Sequence, residues 1–220
     1  MLEQKLVLNR LIHFALPLWN HPAVGPPAVP GDFATQPPQL LHINESTGFG
    51  TKTSTTAVGA HATKPWRTFN WLHWIPGRIS EVQMGANDVL TGPMSGCDLV
   101  LYRRNGVECA GHLGTDVGAV AANAAVKAVW NNFAQNAIIP NLYGGFNPFL
   151  DWLPPYPAQQ PSDVGAPTFY GLYTTAHTFY TLVLYAQRVM PGAPGAHLTL
   201  KRIAGLRQIN SKTVQQLRNL

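Results

Sequence analysis

Cys97 and His112 are the two residues of this chain whose types and spacing could support nucleophilic chemistry. They lie on either side of Asn105-Gly106, and Asn-Gly between two apolar-rich runs is the strongest short-range signal for a β-hairpin. A two-residue turn there pairs Leu99 with His112. Cys97 then lies diagonally across from His112 on the same face, about 7 Å away at the backbone. A local twist or bulge would bring the sulfur to the imidazole.

A thiol beside an imidazole favours acyl-transfer chemistry. The thiolate is the nucleophile, and a neighbouring imidazolium lowers the thiol pKa from ~8.5 towards ~3.5–7.5. Ser95-Gly96, before the cysteine, provides flexible backbone that could aim N–H groups at a developing oxyanion. Gly111 and Gly114 are expected to keep the walls around the histidine low. On spacing alone the alternative stays open that both residues only pack, which is the commoner use of such a pair.

The remaining cysteine and histidines give no sign of a disulfide or a metal site. In the hairpin register Cys109 falls on the opposite face from Cys97, so we expect no disulfide between them. Two cysteines are also too few for a zinc site unless histidines help. The other histidines form no i, i+4 pair and no short-spaced set with a carboxylate, so we expect no metal and no cofactor. They are His13, His21, His42, His61, His73, His177 and His197, of which His73 is expected to lie nearest the site.

The composition predicts a folded chain. Of its 220 residues 45% are apolar and only 11% are charged, whereas disorder requires low hydrophobicity with high charge. A length near this supports one sizeable core, so residues 1–220 are predicted to form a single domain, and we expect a monomer. The best apolar run, Leu11 to Trp19, is too short to span a membrane and makes a poor signal peptide, so we expect neither.

The net charge of +5 is concentrated near the C-terminus, because no acidic residue follows Asp163. The basic residues beyond that position are Arg188, Lys201, Arg202, Arg207, Lys212 and Arg218. Such charge could attract nucleic acid, but no nucleic-acid-binding motif accompanies it. We therefore interpret it as a solvated polar end and expect no nucleic-acid partner.

The pattern of apolar residues predicts many strands and few helices. Apolar spacing predicts one amphipathic helix over residues 2–15 and a second that Thr115 or Asp116 caps and Pro140 ends. The predicted apolar face of the second helix consists of Val117, Val120, Ala121, Ala124, Ala128 and Phe133. The predicted strands span residues 40–44, 66–75, 78–84, 89–90, 97–103, 107–113, 168–175, 178–187 and 197–203.

Two proline-rich stretches, 17–38 and 141–167, are predicted to be loops, the second covering a site, and residues 47–63 a flexible hairpin or loop. The last dozen residues are expected to be helix or tail. The predicted fold class is α+β: a sandwich of mixed β-sheets flanked by a few helices and long proline-rich loops.

Residues 91–97, Thr-Gly-Pro-Met-Ser-Gly-Cys, followed fifteen residues later by His112, resemble the active-site pattern of the bacterial glutamine deamidase toxins. That family includes Burkholderia lethal factor and the cytotoxic necrotizing factor catalytic domain. Its pattern is an apolar-Ser-Gly-Cys motif entering a strand, then a histidine one hairpin later. The segment Trp74-Ile75-Pro76 is also similar to a strand of the lethal factor. The resemblance covers about residues 70 to 116, with Met94 where the family usually has Leu.

The resemblance implies that Cys97 is the nucleophile, His112 the general base and acid, and Thr91 the group that orients the imidazole, by its hydroxyl or by its backbone carbonyl. Ser95 and Gly96 belong to the motif backbone that would serve the oxyanion, and the Cys97 N–H is expected to be one of its donors. The implied reaction converts a glutamine side chain of a host protein to glutamate through a thioester, without a cofactor. A Rho-type GTPase or a helicase-type translation initiation factor is the substrate it suggests. The protein would then be secreted or injected by a bacterium and act in the host cytoplasm.

Two other classes of function remain open at this point. Transglutaminases and cysteine proteases use the same thiol and imidazole, and differ from a deamidase in acceptor and access. Alternatively, Trp66, Trp71 and Trp74 could line a platform in a non-enzymatic β-rich module that binds carbohydrate or protein, although core packing is the commoner use of such aromatic residues.

Overall fold

Strands account for most of the ordered structure, as the alternating and β-branched segments of the sequence predict. The computed structural model describes residues 2–13, 31–45, 51–57, 68–187 and 200–220. In these ranges mixed β-sheets with few helices form a sandwich-like α+β arrangement, which confirms the predicted fold class.

The described strands are β1 (Leu11–His13), β2 (Phe33–Gln36), β3 (Leu40–Glu45), β4 (Thr51–Ala57), β5 (Thr68–Leu72), β6 (Ile79–Gln83), β7 (Asp88–Met94), β8 (Leu99–Arg104), β9 (Val107–Leu113), β10 (Leu142–Phe146), β11 (Asp163–Tyr173), β12 (Phe179–Gln187) and β13 (Leu200–Ile209). The described α-helices are α1 (Val120–Asn136) and α2 (Val214–Leu217). Short 3₁₀ turns occur at Leu2–Lys5 and Ile139–Asn141.

The strands form two sheets. One closes on itself in the order β1-β13-β12-β11-β7-β5-β3-β4, and the other has the order β10-β8-β9-β6-β2. Both are mixed, since β5 runs parallel to β7 in the first and β2 runs parallel to β6 in the second. The chain passes from the closed sheet to the five-stranded sheet between β7 and β8, so residues 95–98 form a crossover between the two sheets.

Of the four apolar clusters formed by the described residues, three form the main layers of the fold. One fills the closed sheet and includes Phe69 and Leu172. A second lies between the two sheets and includes Cys97 and Leu99. The third packs α1 and α2 against the outer face of the five-stranded sheet, around Trp130. The crossover therefore lies at the edge of the layer between the sheets.

The predicted hairpin is confirmed with its register. Leu99 pairs with His112, and the turn residues Asn105 and Gly106 have φ values of 50° and 79°. Two successive positive φ values are typical of the type I′ turn, whose twist matches that of the flanking strands. Cys109 pairs with Tyr102 in the same ladder, and both cysteines are free.

The predicted amphipathic helix over residues 2–15 is wrong. After one 3₁₀ turn the chain passes through Asn9 at a φ of 62°, and β1 then pairs with β13. The Asn9 N–H also donates to the Ile203 carbonyl at 2.8 Å. The apolar spacing was real, but strand pairing with a distant segment outweighs the local helical preference. Residues 14–15 lie outside the described residues.

The loop predictions are only partly correct. Strand β2 lies within the stretch 17–38, β4 within 47–63, and β10 within 141–167. The parts 17–30, 47–50 and 58–63 lie outside the described residues. Threonine-rich β4 was missed because its sequence lacks apolar alternation, so that it gains its ladder only from its neighbours β1 and β3.

Helix α1 exists where predicted, but it begins later, and of the predicted apolar face only Phe133 packs against the core. No side-chain cap from Thr115 or Asp116 starts it, since Ala119 occupies the N-cap. Val117 is 88% exposed and Val120 is 78% exposed. The three alanines of the predicted face, Ala121, Ala124 and Ala128, are exposed as well. The buried stripe consists of Val126, Trp130 and Ala134. This alanine-rich helix has apolar residues on several faces. The face that is buried is the one that carries Trp130, whose large ring fills the space above the sheet.

The basic C-terminal region is mostly engaged within the protein, which corrects its interpretation as a solvated end. Arg202 pairs with buried Asp163, and Lys212 pairs with Asp151 at 3.2 Å. Arg207 donates to the Leu153 carbonyl and Arg218 to carbonyls near the end of α1. Arg188 lies outside the described residues. Among the helices described, none is long and apolar enough to cross a membrane.

Candidate functional site

The three residues of the predicted triad come from three neighbouring parts of the fold. Thr91 lies in β7 of the closed sheet, and His112 lies in β9 of the five-stranded sheet. Cys97 precedes β8, in the crossover that joins the sheets, rather than within the strand as predicted. The Leu113 N–H donates to the Asp98 carbonyl at 3.0 Å, so the hairpin ladder extends almost to the cysteine.

The imidazole of His112 is held between the sheets by one hydrogen bond. Its Nδ1 lies 2.9 Å from the Thr91 hydroxyl oxygen, and both residues are fully buried. Its Nε2 is buried and has no hydrogen-bond partner in the described part of the chain. Burial lowers the pKa of His112 to about 3, because the charged imidazolium would lose its hydration there. The ring is therefore neutral at physiological pH.

The thiol of Cys97 is paired with Thr115. The sulfur accepts a hydrogen bond from the Thr115 hydroxyl at 3.3 Å and donates one to the Thr115 carbonyl, also at 3.3 Å. Trp74 Nε1 donates to that same carbonyl. Burial raises the pKa of the Cys97 thiol, and the neighbouring carboxylate of Asp98 acts in the same direction. The thiol is therefore protonated in this arrangement.

The structure thus joins His112 to Thr91 but hydrogen-bonds the thiol to Thr115 instead of the imidazole. The expectation that a neighbouring imidazolium lowers the thiol pKa is wrong for this arrangement. Burial dominates at both groups, and it favours the neutral thiol and the neutral imidazole. Proton transfer between them would have to accompany the attack on a substrate.

Cys97 lines a cavity of about 360 Å³. Ser95 and Thr115 form part of its wall, and Trp74, 36% exposed, also lines it. His112 is fully buried and does not line this cavity. The cavity could admit a slender side chain such as a carboxamide to the sulfur.

His73 lines the same cavity, which confirms its predicted position near the site. Its Nδ1 accepts a hydrogen bond from Trp71 Nε1 at 3.2 Å, and its Nε2 bonds Gln39. With Nδ1 as an acceptor, Nε2 carries the proton and donates it to the amide oxygen. His73 is therefore a fixed part of the cavity wall.

The tryptophans do not form the predicted platform as a set. Trp71 is buried in the core of the closed sheet, and Trp74 lines the cavity. Trp66 lies outside the described residues. Of the two described rings, only Trp74 is exposed enough to serve as a binding platform.

Two glycines near the histidine are required by close approach. A Cβ on Gly114 would lie 1.9 Å from the Ile75 carbonyl oxygen, and one on Gly111 would lie 2.8 Å from the ring of Tyr102. Their missing side chains make room for the Tyr102 ring and the Ile75 carbonyl. The packing they allow fixes the end of β9, and with it His112.

Two residues important for the geometry were not identified as site residues from the sequence. Thr115 follows the histidine closely, so its place in the motif was a usable signal. Asn147 follows β10, and its Nδ2 donates to the Gly96 carbonyl at 2.9 Å. Nothing in the local sequence indicates this contact, because the two residues are fifty positions apart in the chain.

The described part of the chain contains no group of three or more His, Cys, Asp or Glu side chains suited to hold a metal ion. His177 bonds Glu108 at 2.9 Å. His21, His61 and His197 lie outside the described residues, as do the side chains of His13 and His42.

Comparison of the chain with models of protein families, with curated proteins and with solved structures finds no match.

Proposed function

We propose that this protein is a cysteine-dependent protein-glutamine deamidase that uses Cys97 as nucleophile and His112 as general base and acid, with Thr91 orienting the imidazole. The observation that carries the proposal is the 2.9 Å contact between the Thr91 hydroxyl and His112 Nδ1. It leaves Nε2 of a neutral, buried imidazole without a partner among the described residues, one hairpin away from a thiol that lines a cavity. The motif of residues 91–97 supports the choice of glutamine as substrate.

The thiol must first exchange its partner. Two bonds to Thr115 hold it at rest, whereas an unpartnered buried polar atom such as His112 Nε2 costs about 1–3 kcal/mol. The proposal requires the Cys97 side chain to turn from Thr115 towards Nε2, which would give that atom a partner. With Nδ1–H donating to Thr91, the Nε2 lone pair is free to take the thiol proton.

The proposed chemistry then follows in two halves. As the Cys97 sulfur bonds to the carboxamide carbon, its proton passes to His112 Nε2, and the carbonyl becomes an oxyanion. His112 returns the proton to the nitrogen, the C–N bond breaks, and ammonia leaves a thioester. Water then attacks the thioester with His112 as base, which releases glutamate and restores the thiol.

A host protein is the proposed substrate class, with a Rho-type GTPase or a helicase-type translation initiation factor as the first ones to test. Secretion or injection by a bacterium and action in the host cytoplasm belong to the same proposal. The free state of both cysteines is compatible with action in a reducing compartment.

The test is mass spectrometry of host-cell lysate incubated with the protein, searching for a glutamine converted to glutamate. We expect Cys97→Ser and His112→Asn to lower the conversion rate at least about 1,000-fold, as removal of a nucleophile or its base does elsewhere. Cys109→Ser is the matched control, because Cys109 is equally buried but belongs to the cluster under α1. It should retain activity.

Each rival function gives a different result in the same experiment. A transglutaminase would join added primary amines to the target glutamine, and a protease would cleave the target. A binding module would modify no glutamine, and Cys97→Ser would leave its ligand binding unchanged. Conversion that persists undiminished in Cys97→Ser would refute the proposal.

A further inference from the structure

Asn147 connects the loop after β10 to the crossover that carries Cys97. It is 1% exposed, and its Nδ2 donates to the Gly96 carbonyl at 2.9 Å. Its Oδ1 accepts from the N–H groups of Phe149 and Leu150, at 3.2 and 3.0 Å. Because the oxygen already receives two donors, the orientation of the amide is determined, and the NH₂ group must face Gly96.

This contact fixes the peptide plane that ends in the nucleophile. The peptide between Gly96 and Cys97 is trans, so its N–H points away from the side on which its C=O lies. With the carbonyl directed at Asn147, the Cys97 N–H points away from Asn147. That N–H donates no hydrogen bond to any described residue.

The loop that presents Asn147 is itself held in place. The Asn147 N–H donates to Asp151 Oδ2 at 2.6 Å, and Lys212 holds Asp151 at 3.2 Å while also approaching Asp98 at 3.8 Å. Lys212, in the segment after β13, thus links this loop to Asp98, the residue that follows the nucleophile. A group that must keep its orientation during a reaction requires supporting contacts of this kind.

We infer that Asn147 is a positioning residue that fixes the Gly96–Cys97 peptide so that the Cys97 N–H donates to the oxyanion formed beside the sulfur. The inference rests on the proposed function, because that oxyanion arises when the thiol adds to a carbonyl. If this peptide turned over, the Gly96 carbonyl oxygen would stand where the Cys97 N–H had been, and it would repel the oxyanion.

The variant that tests this role is Asn147→Asp. It keeps an oxygen for the N–H groups of the following turn, but at neutral pH it has no proton to donate to Gly96 or to the Asp98 carboxylate, which the Asn147 side chain also bonds. We expect kcat for deamidation at pH 8 to decrease about 10- to 100-fold with KM little changed. This is at or below the roughly 100- to 1,000-fold loss seen when an oxyanion donor is removed, because the Cys97 N–H would be misaligned and not deleted. As the pH falls, protonation of the new carboxyl supplies an O–H donor, so activity relative to the unmodified protein should recover.

Asn136→Asp is the matched control, since it makes the same amide-to-carboxylate change at an exposed position of α1, where the Asn136 side chain bonds only Asn132 among the described residues. We expect it to retain most of kcat. Equal losses in the two variants, an unchanged kcat in folded Asn147→Asp, or a loss without recovery at low pH would each overturn the inference.

A second measurement separates this inference from the proposed function. Iodoacetamide alkylates the thiol without forming an oxyanion, whereas a small aliphatic aldehyde adds to it and forms one. We expect Asn147→Asp to weaken aldehyde binding about 10-fold or more while changing alkylation less than about threefold. Absence of glutamine conversion by the unmodified protein would refute the deamidase, whereas equal effects on both reagents would refute the role of Asn147.

Discussion

Acidification is expected to destabilise this protein through His112. An unfolded histidine has a pKa of ~6.5, whereas burial lowers the pKa of His112 in the folded state to about 3. Above pH 6.5 both states are neutral and the group makes no difference. Below it the unfolded chain takes up a proton that the folded protein refuses, so stability falls by ~1.4 kcal/mol per pH unit until the folded pKa is reached.

Between pH 7 and pH 5 this linkage is worth about 2 kcal/mol, since most of the range lies below the unfolded pKa. The measurement is urea unfolding at both pH values for the unmodified protein and for His112→Asn, whose shorter amide can still bond the Thr91 hydroxyl. Other titrating groups are common to the two proteins and cancel in the comparison. We expect the unmodified protein to lose about 2 kcal/mol more than the variant. Equal losses, within about 0.5 kcal/mol, would mean that the histidine is hydrated or charged in the folded state.

Three further predictions concern single substitutions, two tested by stability and one by enzyme kinetics. Gly114→Ala should cost about 3 kcal/mol or more in urea unfolding, because its Cβ would lie 1.9 Å from a backbone oxygen of Ile75. Gly85→Ala, with nothing within 4 Å, is its control and should be nearly neutral. Trp130→Ala should cost about 3–5 kcal/mol, because this fully buried ring anchors α1, and a smaller loss would show that the helix contributes little to the core. Thr91→Val should lower kcat about 10-fold or more while Thr91→Ser retains most of it, which steady-state kinetics on the modified target can check; equal activity would remove Thr91 from the mechanism.

The parts of the fold that could be predicted from the sequence are those whose structure is decided locally. Asn105-Gly106 specifies its own turn, and that turn sets the register that pairs Leu99 with His112. By contrast, β1 was predicted as helix because its partner β13 lies nearly two hundred residues away in the chain. Helix α1 was found, but the choice of its buried face depends on the space above the sheet, which the helical period does not encode.

The same distinction applies to the site. The spacing of Cys97 and His112 was readable because one hairpin connects them, and the motif also contains Thr91. The contact of Asn147 with Gly96 depends on how β10 docks beside β8, so no local pattern could reveal it. The protonation states could not be read either, because residue types suggest an ion pair whereas depth of burial favours two neutral groups.

Those neutral groups have a consequence for how the site would work. Burial disfavours both a Cys97 thiolate and a His112 imidazolium. The thiol is also already hydrogen-bonded to Thr115. Charge would therefore develop only when a substrate carbonyl arrives to receive it and backbone N–H groups stabilise it. Because His112 titrates near pH 3 and the thiol above its usual range, neither group changes its charge between pH 5 and pH 8. We expect kcat/KM of the unmodified protein to stay level across that interval wherever it remains folded, whereas a preformed ion pair would give a bell-shaped profile within it.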